Sequence, residues 1–357
     1  MSDLLKRLEN IPLHKRELVL KKLRQKPKKS VIEKVKQNPS IKPVSREKPI
    51  PLSFAQTRLW FLDRLEEQSS HYNVPLYLEL KGDLNPDALT KAITEIIQRH
   101  EVLRTNFRLI DDQPVQIIRQ NAHINLPIID LDYKQFSEQI KKVNQLAKEE
   151  LQQSFNLEHD NLLRGKILRL NHQYHILLLV MHHIVGDAWS MGIFTRELST
   201  LYESYCTGTL PSLPKLAIQY ADFAHWQRQW LQGANLDQQL NYWQEKLAGI
   251  PPVLELPTDK TRPAVQHFRG SSESFEIDRD LTEKLKTLSQ SSGTTLFMTL
   301  LAAFSVLLSR YSNQQDLAIG SPIANRNHHE LEPLIGFFVN TIVFRINLEE
   351  SPTLKEL

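Results

Sequence analysis

Six consecutive apolar residues, Ile176 to Met181, are followed by His182-His183 and Gly186-Asp187. Apolar positions then recur at Phe194, Leu198, Leu201 and Tyr205, with helical spacing. The order predicts a buried strand that delivers two imidazoles to its end, a tight loop, and a helix packed by one face. The strand forms a hairpin with the apolar run before it, across Asn171-His172-Gln173. Strand-like alternation predicts further strands at 74–80, 104–109, 115–118, 124–129, 274–277, 316–323 and 339–348. Helical periodicity predicts helices at 52–65, 86–99, 136–154, 281–290 and 296–311, and two aromatic-rich ones between 220 and 249. Ser53 and Asn85-Pro86 supply two of the start signals. A Pro-rich crossing at 251–263 separates two mixed halves, an α/β arrangement with a cleft between lobes.

Charge changes this picture at the N-terminus. Residues 1–48 carry fifteen Lys/Arg against five Asp/Glu, net +10, whereas the rest of the chain is net −7. Leucines at helical spacing within 3–9 and 13–24, then a Lys- and Pro-rich stretch, describe a basic helical arm suited to an acidic partner. The arm lacks the aromatics that stack bases, so nucleic acid is not the expected partner. Mean hydropathy is −0.38, and no apolar run approaches the ~20 residues of a membrane span. With no signal-peptide pattern and Cys206 as the single cysteine, a cytoplasmic protein without disulfides is expected.

The candidate chemistry sits at the double histidine. Side chains alternate along a strand, so His182 and His183 face opposite ways, one toward a cleft and one toward the core. Adjacent strand histidines do not readily chelate one ion, so no metal site is expected. GxSxG is absent and Cys206 lies on an ordinary helix, which leaves no activated nucleophile. A positioned imidazole such as His183 instead suits direct acyl transfer to an amine, orienting it and taking its proton. Asp187, among small and apolar neighbours, requires a cationic partner if buried, and Arg326 is the candidate.

The segment "MHHIVGDAWS" (Met181–Ser190) resembles the HHxxxDG signature of nonribosomal peptide synthetase condensation domains, in the chloramphenicol acetyltransferase-like superfamily. Four further blocks resemble the same family in order: Ser53–Leu62, Arg99–Phe107, Tyr220–Trp226 and Ile335–Arg345. The resemblance implies an α/β fold of two acetyltransferase-like lobes in a V-shaped pseudo-dimer with a tunnel at their junction. It divides the chain into an arm (1–48), an N-terminal lobe (49–232), and a linker with an incomplete C-terminal lobe (233–357). It further implies an amide-forming acyltransferase with no directly bound cofactor, whose substrates arrive as thioesters on the phosphopantetheine of carrier proteins. The upstream carrier would dock in trans through residues 1–48. The downstream carrier and adenylation domains would lie on the same full-length chain, of which this is a truncated part.

By position, His183 matches the catalytic histidine, His182 its core-facing neighbour, Asp187 the structural aspartate and Arg326 its partner. Gly186, Ala188, Trp189 and Asn340 are expected to line the tunnel. Trp60, Arg104, Asp222 and Trp226 are expected to be scaffold. One departure stands out: Ala188 occupies the place of the family's glycine. If that position requires positive φ, alanine costs about 1–2 kcal/mol; if the glycine serves clearance, the added methyl narrows the tunnel. This keeps open a noncatalytic carrier-recruiting module degenerate at Ala188, or an epimerisation-type relative.

Overall fold

An unbroken apolar run in a strand needs cover on both faces of its sheet, and the tertiary structure supplies it. The computed structural model describes residues 39–66, 69–131, 135–261, 263, 270–350, 352, 353 and 356. The strands are β1 (Ile50–Pro51), β2 (Asn73–Lys81), β3 (Thr105–Ile110), β4 (Gln113–Ile118), β5 (Ile128–Asp130), β6 (Leu163–Asn171), β7 (Tyr174–His182), β8 (Asp316–Ile323) and β9 (Asn340–Asn347). The helices are α1 (Phe54–Leu65), α2 (Pro86–Arg99), α3 (Phe136–Gln152), α4 (Ala188–Thr207), α5 (Tyr220–Trp230), α6 (Ala234–Leu247), α7 (Arg279–Ser292) and α8 (Leu296–Ser312).

Strand β7 lies inside a four-stranded sheet of order β2-β7-β6-β5. Its neighbours β2 and β6 are antiparallel to it, while β5 runs parallel to β6 with α3 as the crossover between them. Cross-strand partners show how the two faces divide. Ile167 opposes Leu177 and Leu168 opposes Ile176. The first pair joins the main core, where α2 (Ile93, Ile96, Ile97) and α4 (Ile193, Phe194, Leu198) pack. The second pair packs with Val143 of α3, Leu131 and Leu170. Helix α2 is fixed at its start because Asn85 accepts the Ala88 N–H at 3.0 Å and Pro86 needs no donor in the first turn. The other two sheets are antiparallel, β1-β4-β3 and β8-β9. Phe297, Leu307 and Tyr311 of α8 are more than half exposed.

Three sequence expectations require correction. Residues 41–48 belong to the body, not the arm. Ile41 is buried in the main core, the Val44 N–H donates to Asp222 at 2.8 Å, and Arg46 bridges Asp222 (2.6 Å) and Glu101 (2.7 Å). One compact unit accordingly begins at Ile41. The strand expected at 274–277 is not formed: among the described residues no strand pairs with its backbone, and Phe275 is 85% exposed. The strand expected at 124–129 shortens to β5, which follows Pro127. The helices expected within 3–24 lie outside the described residues. Among those described, no single helix is long and apolar enough to cross a membrane.

Strands β6 and β7 approach closely at Gly165, opposite Leu179. A Cβ there would sit 2.6 Å from the Leu178 carbonyl and 2.4 Å from Leu179 Cδ2. Gly165→Ala is therefore expected to destabilise the fold by about 3 kcal/mol, through overpacking against backbone that cannot yield. Urea denaturation checks it, and an unchanged midpoint would contradict the close approach.

Candidate functional site

The two histidines leave β7 into different surroundings. The His182 N–H donates to the Leu162 carbonyl at 3.0 Å, which continues the sheet pairing. Its ring is 1% exposed, lies between Tyr72 and Phe155, and its Nδ1 accepts the Ile184 N–H at 3.1 Å. Burial, with smaller contributions from His183 and Arg164, pushes its pKa down to about 3. His182 is thus a neutral imidazole with its proton on Nε2, built into the core.

His183 opens a short 3-10 turn, His183–Val185, and its backbone N–H donates to the Tyr72 carbonyl at 2.7 Å. The ring is half-buried, and its Nδ1 is 2.6 Å from the Gly186 carbonyl oxygen. A carbonyl can only accept, so Nδ1 carries the proton and the Nε2 lone pair is left for other work. Phe337 closes one side of the ring, with centroids 4.8 Å apart and planes inclined at 60°.

Behind the histidines the chain turns through Gly186, whose carbonyl holds His183, into Asp187. Asp187 is the N-cap of α4 and is fully buried. Its Oδ1 accepts the Ser190 N–H (2.9 Å), the Ser190 hydroxyl (2.7 Å) and Arg326 Nη2 (3.2 Å), and its Oδ2 accepts the Phe338 N–H (3.1 Å). Arg326 is itself 2% exposed, donates to the Leu331 and Leu334 carbonyls, and stacks its guanidinium 4.1 Å from the Phe338 ring centroid. Burial draws its pKa below the ordinary arginine value, and Asp187 pulls it back up.

The structure brings His182, His183, Gly186, Asp187 and Arg326 together. It treats the remaining candidates differently. Ala188 is the first residue of α4, is exposed, and is not among the described residues with positive φ. The conformational objection to alanine therefore falls, since alanine is the best helix former at such a place. Trp189 is half exposed, and its indole N–H donates to the Glu332 carbonyl at 3.0 Å. Asn340 is exposed at the start of β9, its Oδ1 accepting the Thr341 N–H at 2.9 Å. Asp222, one of the expected scaffold residues, receives Val44, Arg46 and Gln219.

Three residues that sequence reasoning did not single out, His100, Tyr220 and Phe337, also reach this region. The Tyr220 hydroxyl donates to the Phe337 carbonyl at 2.6 Å. His100 Nδ1 accepts the Ile335 N–H at 3.3 Å. The only sequence signal for them was membership of the ordered blocks.

A family model described as Condensation domain matches residues 46–357. A linear gramicidin synthase protein of Brevibacillus parabrevis is 49% identical over 315 residues, which span 88% of this chain and 6% of that protein. Phosphinothricin tripeptide synthetase PhsC of Streptomyces viridochromogenes is 42% identical over 309 residues, 87% of this chain and 28% of that protein. The chain thus spans a small part of both relatives. Among solved structures, the X-domain from teicoplanin biosynthesis is similar with a TM-score of 0.79 and 30% identity, over 89% of this chain and 70% of that one. A four-domain nonribosomal peptide synthetase bound to AMP and glycine is similar with a TM-score of 0.75 and 26% identity, over 88% of this chain and 24% of that one.

The burial of His182 has a pH signature. Its pKa is 6.5 in an unfolded chain and about 3 in the fold, so below 6.5 the unfolded state binds the extra proton. Stability is then expected to fall as pH drops from 6.5 toward 3, by about 1.4 kcal/mol per pH unit from this residue, with no such loss above 6.5. Urea titrations across that range, compared with a His182→Gln variant that cannot titrate, measure the difference in slope. Equal slopes would rule the burial effect out.

Proposed function

The chain belongs to the condensation domain family, and on that premise we propose that it joins a carrier-bound acyl or peptidyl thioester to a carrier-bound aminoacyl amine through an amide bond. The observation that carries the reading is the bond from His183 Nδ1 to the Gly186 carbonyl, 2.6 Å long. It supports a single imidazole tautomer with an Nε2 acceptor for the incoming amine. An α-amine has a pKa near ~8, so it is partly unprotonated at neutral pH and needs orientation more than a strong base. The amine nitrogen attacks the thioester carbonyl, and the N–C bond forms. Nε2 takes the proton that this nitrogen loses. The C–S bond then breaks, and the departing phosphopantetheine thiolate receives a proton. Both thioesters are substrates presented by carriers.

His182 and Asp187 have supporting roles here. His182 anchors the strand end, and Asp187 with Arg326 holds the loop that carries the Gly186 carbonyl. The upstream carrier is proposed to come on another polypeptide, drawn by the basic N-terminal residues to an acidic segment of its own. The downstream carrier and adenylation domains are proposed to belong to the same synthetase polypeptide.

His183→Ala is expected to lower condensation between two loaded carriers by about 10²-fold or more. Retention of full turnover would refute the assignment. Removing residues 1–40, which spares Ile41, Val44 and Arg46, is expected to slow transfer from the upstream carrier at limiting carrier concentration only. Unchanged rates there would end the docking proposal.

A further inference from the structure

We propose that Phe337 is a positioning residue for His183, delivered by a loop whose backbone is locked residue by residue from three other segments. The inference rests on the amide-forming reading above and extends it to residues that touch no substrate. Residues 335–338 belong to no helix or strand. Yet each of the four has a backbone group held by a side chain. The Ile335 N–H donates to His100 Nδ1 (3.3 Å), the Gly336 N–H to Ser190 Oγ (3.0 Å), and the Phe338 N–H to Asp187 Oδ2 (3.1 Å). The Phe337 carbonyl accepts from the Tyr220 hydroxyl at 2.6 Å. Connecting loops ordinarily run over the surface and bond to water. This one is buried and bonded to side chains instead.

The partners are themselves held in one sense. His100 Nε2 lies 2.9 Å from Glu197 Oε2, a carboxylate that also receives Arg99 Nε at 3.0 Å. Nε2 therefore bears the His100 proton, and Nδ1 is free to accept from Ile335. Tyr220 gives its single proton to Phe337, so Ser53, 2.8 Å away, donates to Tyr220. Ser53 Oγ in turn accepts the Gln56 N–H as the cap of α1. Gly336 leaves no slack, because a Cβ would fall 2.0 Å from the Tyr220 ring.

What the locked loop delivers is the Phe337 ring, 3% exposed and 4.8 Å from the His183 centroid. The Gly186 carbonyl holds one atom of the imidazole, which leaves rotation about that bond open. An aromatic wall at one side removes that rotation and sets the direction of Nε2. Near-attack geometry is sensitive to displacements of this size.

The test uses the full chain with two loaded carriers. Phe337→Leu is expected to lower kcat about tenfold or more while the acceptor KM stays within about twofold. In the same variant, NMR relaxation of the His183 ring carbons is expected to show increased ring motion, while ¹⁵N shifts keep the proton on Nδ1, where the Gly186 carbonyl holds it. Should Phe337→Leu fail to fold, Tyr220→Phe, which removes one oxygen, is read by the same criteria. Parental kcat, or a loss of kcat with the His183 ring as rigid as in the parent, overturns the positioning role. The spectra need no turnover, so they decide the positioning role even where His183→Ala disproves the amide-forming reading.

Discussion

A carboxylate that meets no solvent must find donors for both oxygens, or its burial is prohibitively costly. Asp187 solves that problem with four donors from three stretches of chain, and the loop geometry follows. Capping α4 fixes the helix relative to the end of β7. Receiving Arg326 and the Phe338 N–H draws two distant segments against the cap. Deleting one member of such a buried pair leaves the other uncompensated, at a cost of about 3–5 kcal/mol. That asymmetry ties the loop, the helix start and residues 326–338 into one unit.

Within that unit the blocks scattered along the chain become neighbours for stated reasons. The first block caps α1 with Ser53 and lends Gln56 to the Ile184 carbonyl at 3.4 Å, just past the histidines. The second supplies His100, the fourth supplies Tyr220, and the last supplies the loop they both bind. Their shared target is backbone, so their side chains act by geometry. Asp222, two residues beyond Tyr220, works the same way on another segment, anchoring residues 44–46 to the body.

How much of this was legible in the sequence depended on whether a residue repeats a local pattern. Strands β2, β7 and β8 and helices α2 and α8 sit close to their expected limits because each follows a regular alternation or periodicity. Different surroundings for His182 and His183 were expected from strand alternation, although His183 itself opens the 3-10 turn beyond β7; the Asp187–Arg326 pairing followed from the cost of a buried charge. Tyr220 and Phe337 carried no such signal: they are 117 positions apart and meet through one hydroxyl and one carbonyl. Residues 41–48 misled through composition, since Lys42, Arg46 and Lys48 read as arm while Ile41 and Val44 make contacts with the body. The segment 274–277 has strand-like alternation, but alternation cannot provide a neighbouring strand. At Ala188 the family resemblance raised a conformational question that the helix start answers, because a first helical residue has no need of positive φ.

The division of labour between the two polar groups beside His183 bears on how strong a base the site holds. In a Ser-His-Asp triad the carboxylate faces the imidazole and stabilises the imidazolium that forms. Here the carboxylate, Asp187, faces Arg326 and backbone, and the imidazole faces the neutral Gly186 carbonyl. A carbonyl fixes the tautomer as well as a carboxylate does, but it stabilises positive charge on the ring less. An amine, already a nucleophile when unprotonated, needs only a directed acceptor for a proton that becomes acidic as the N–C bond forms. On the proposed reading, the geometry around His183 suits an amine nucleophile, and orientation of the ring is what the surrounding structure secures.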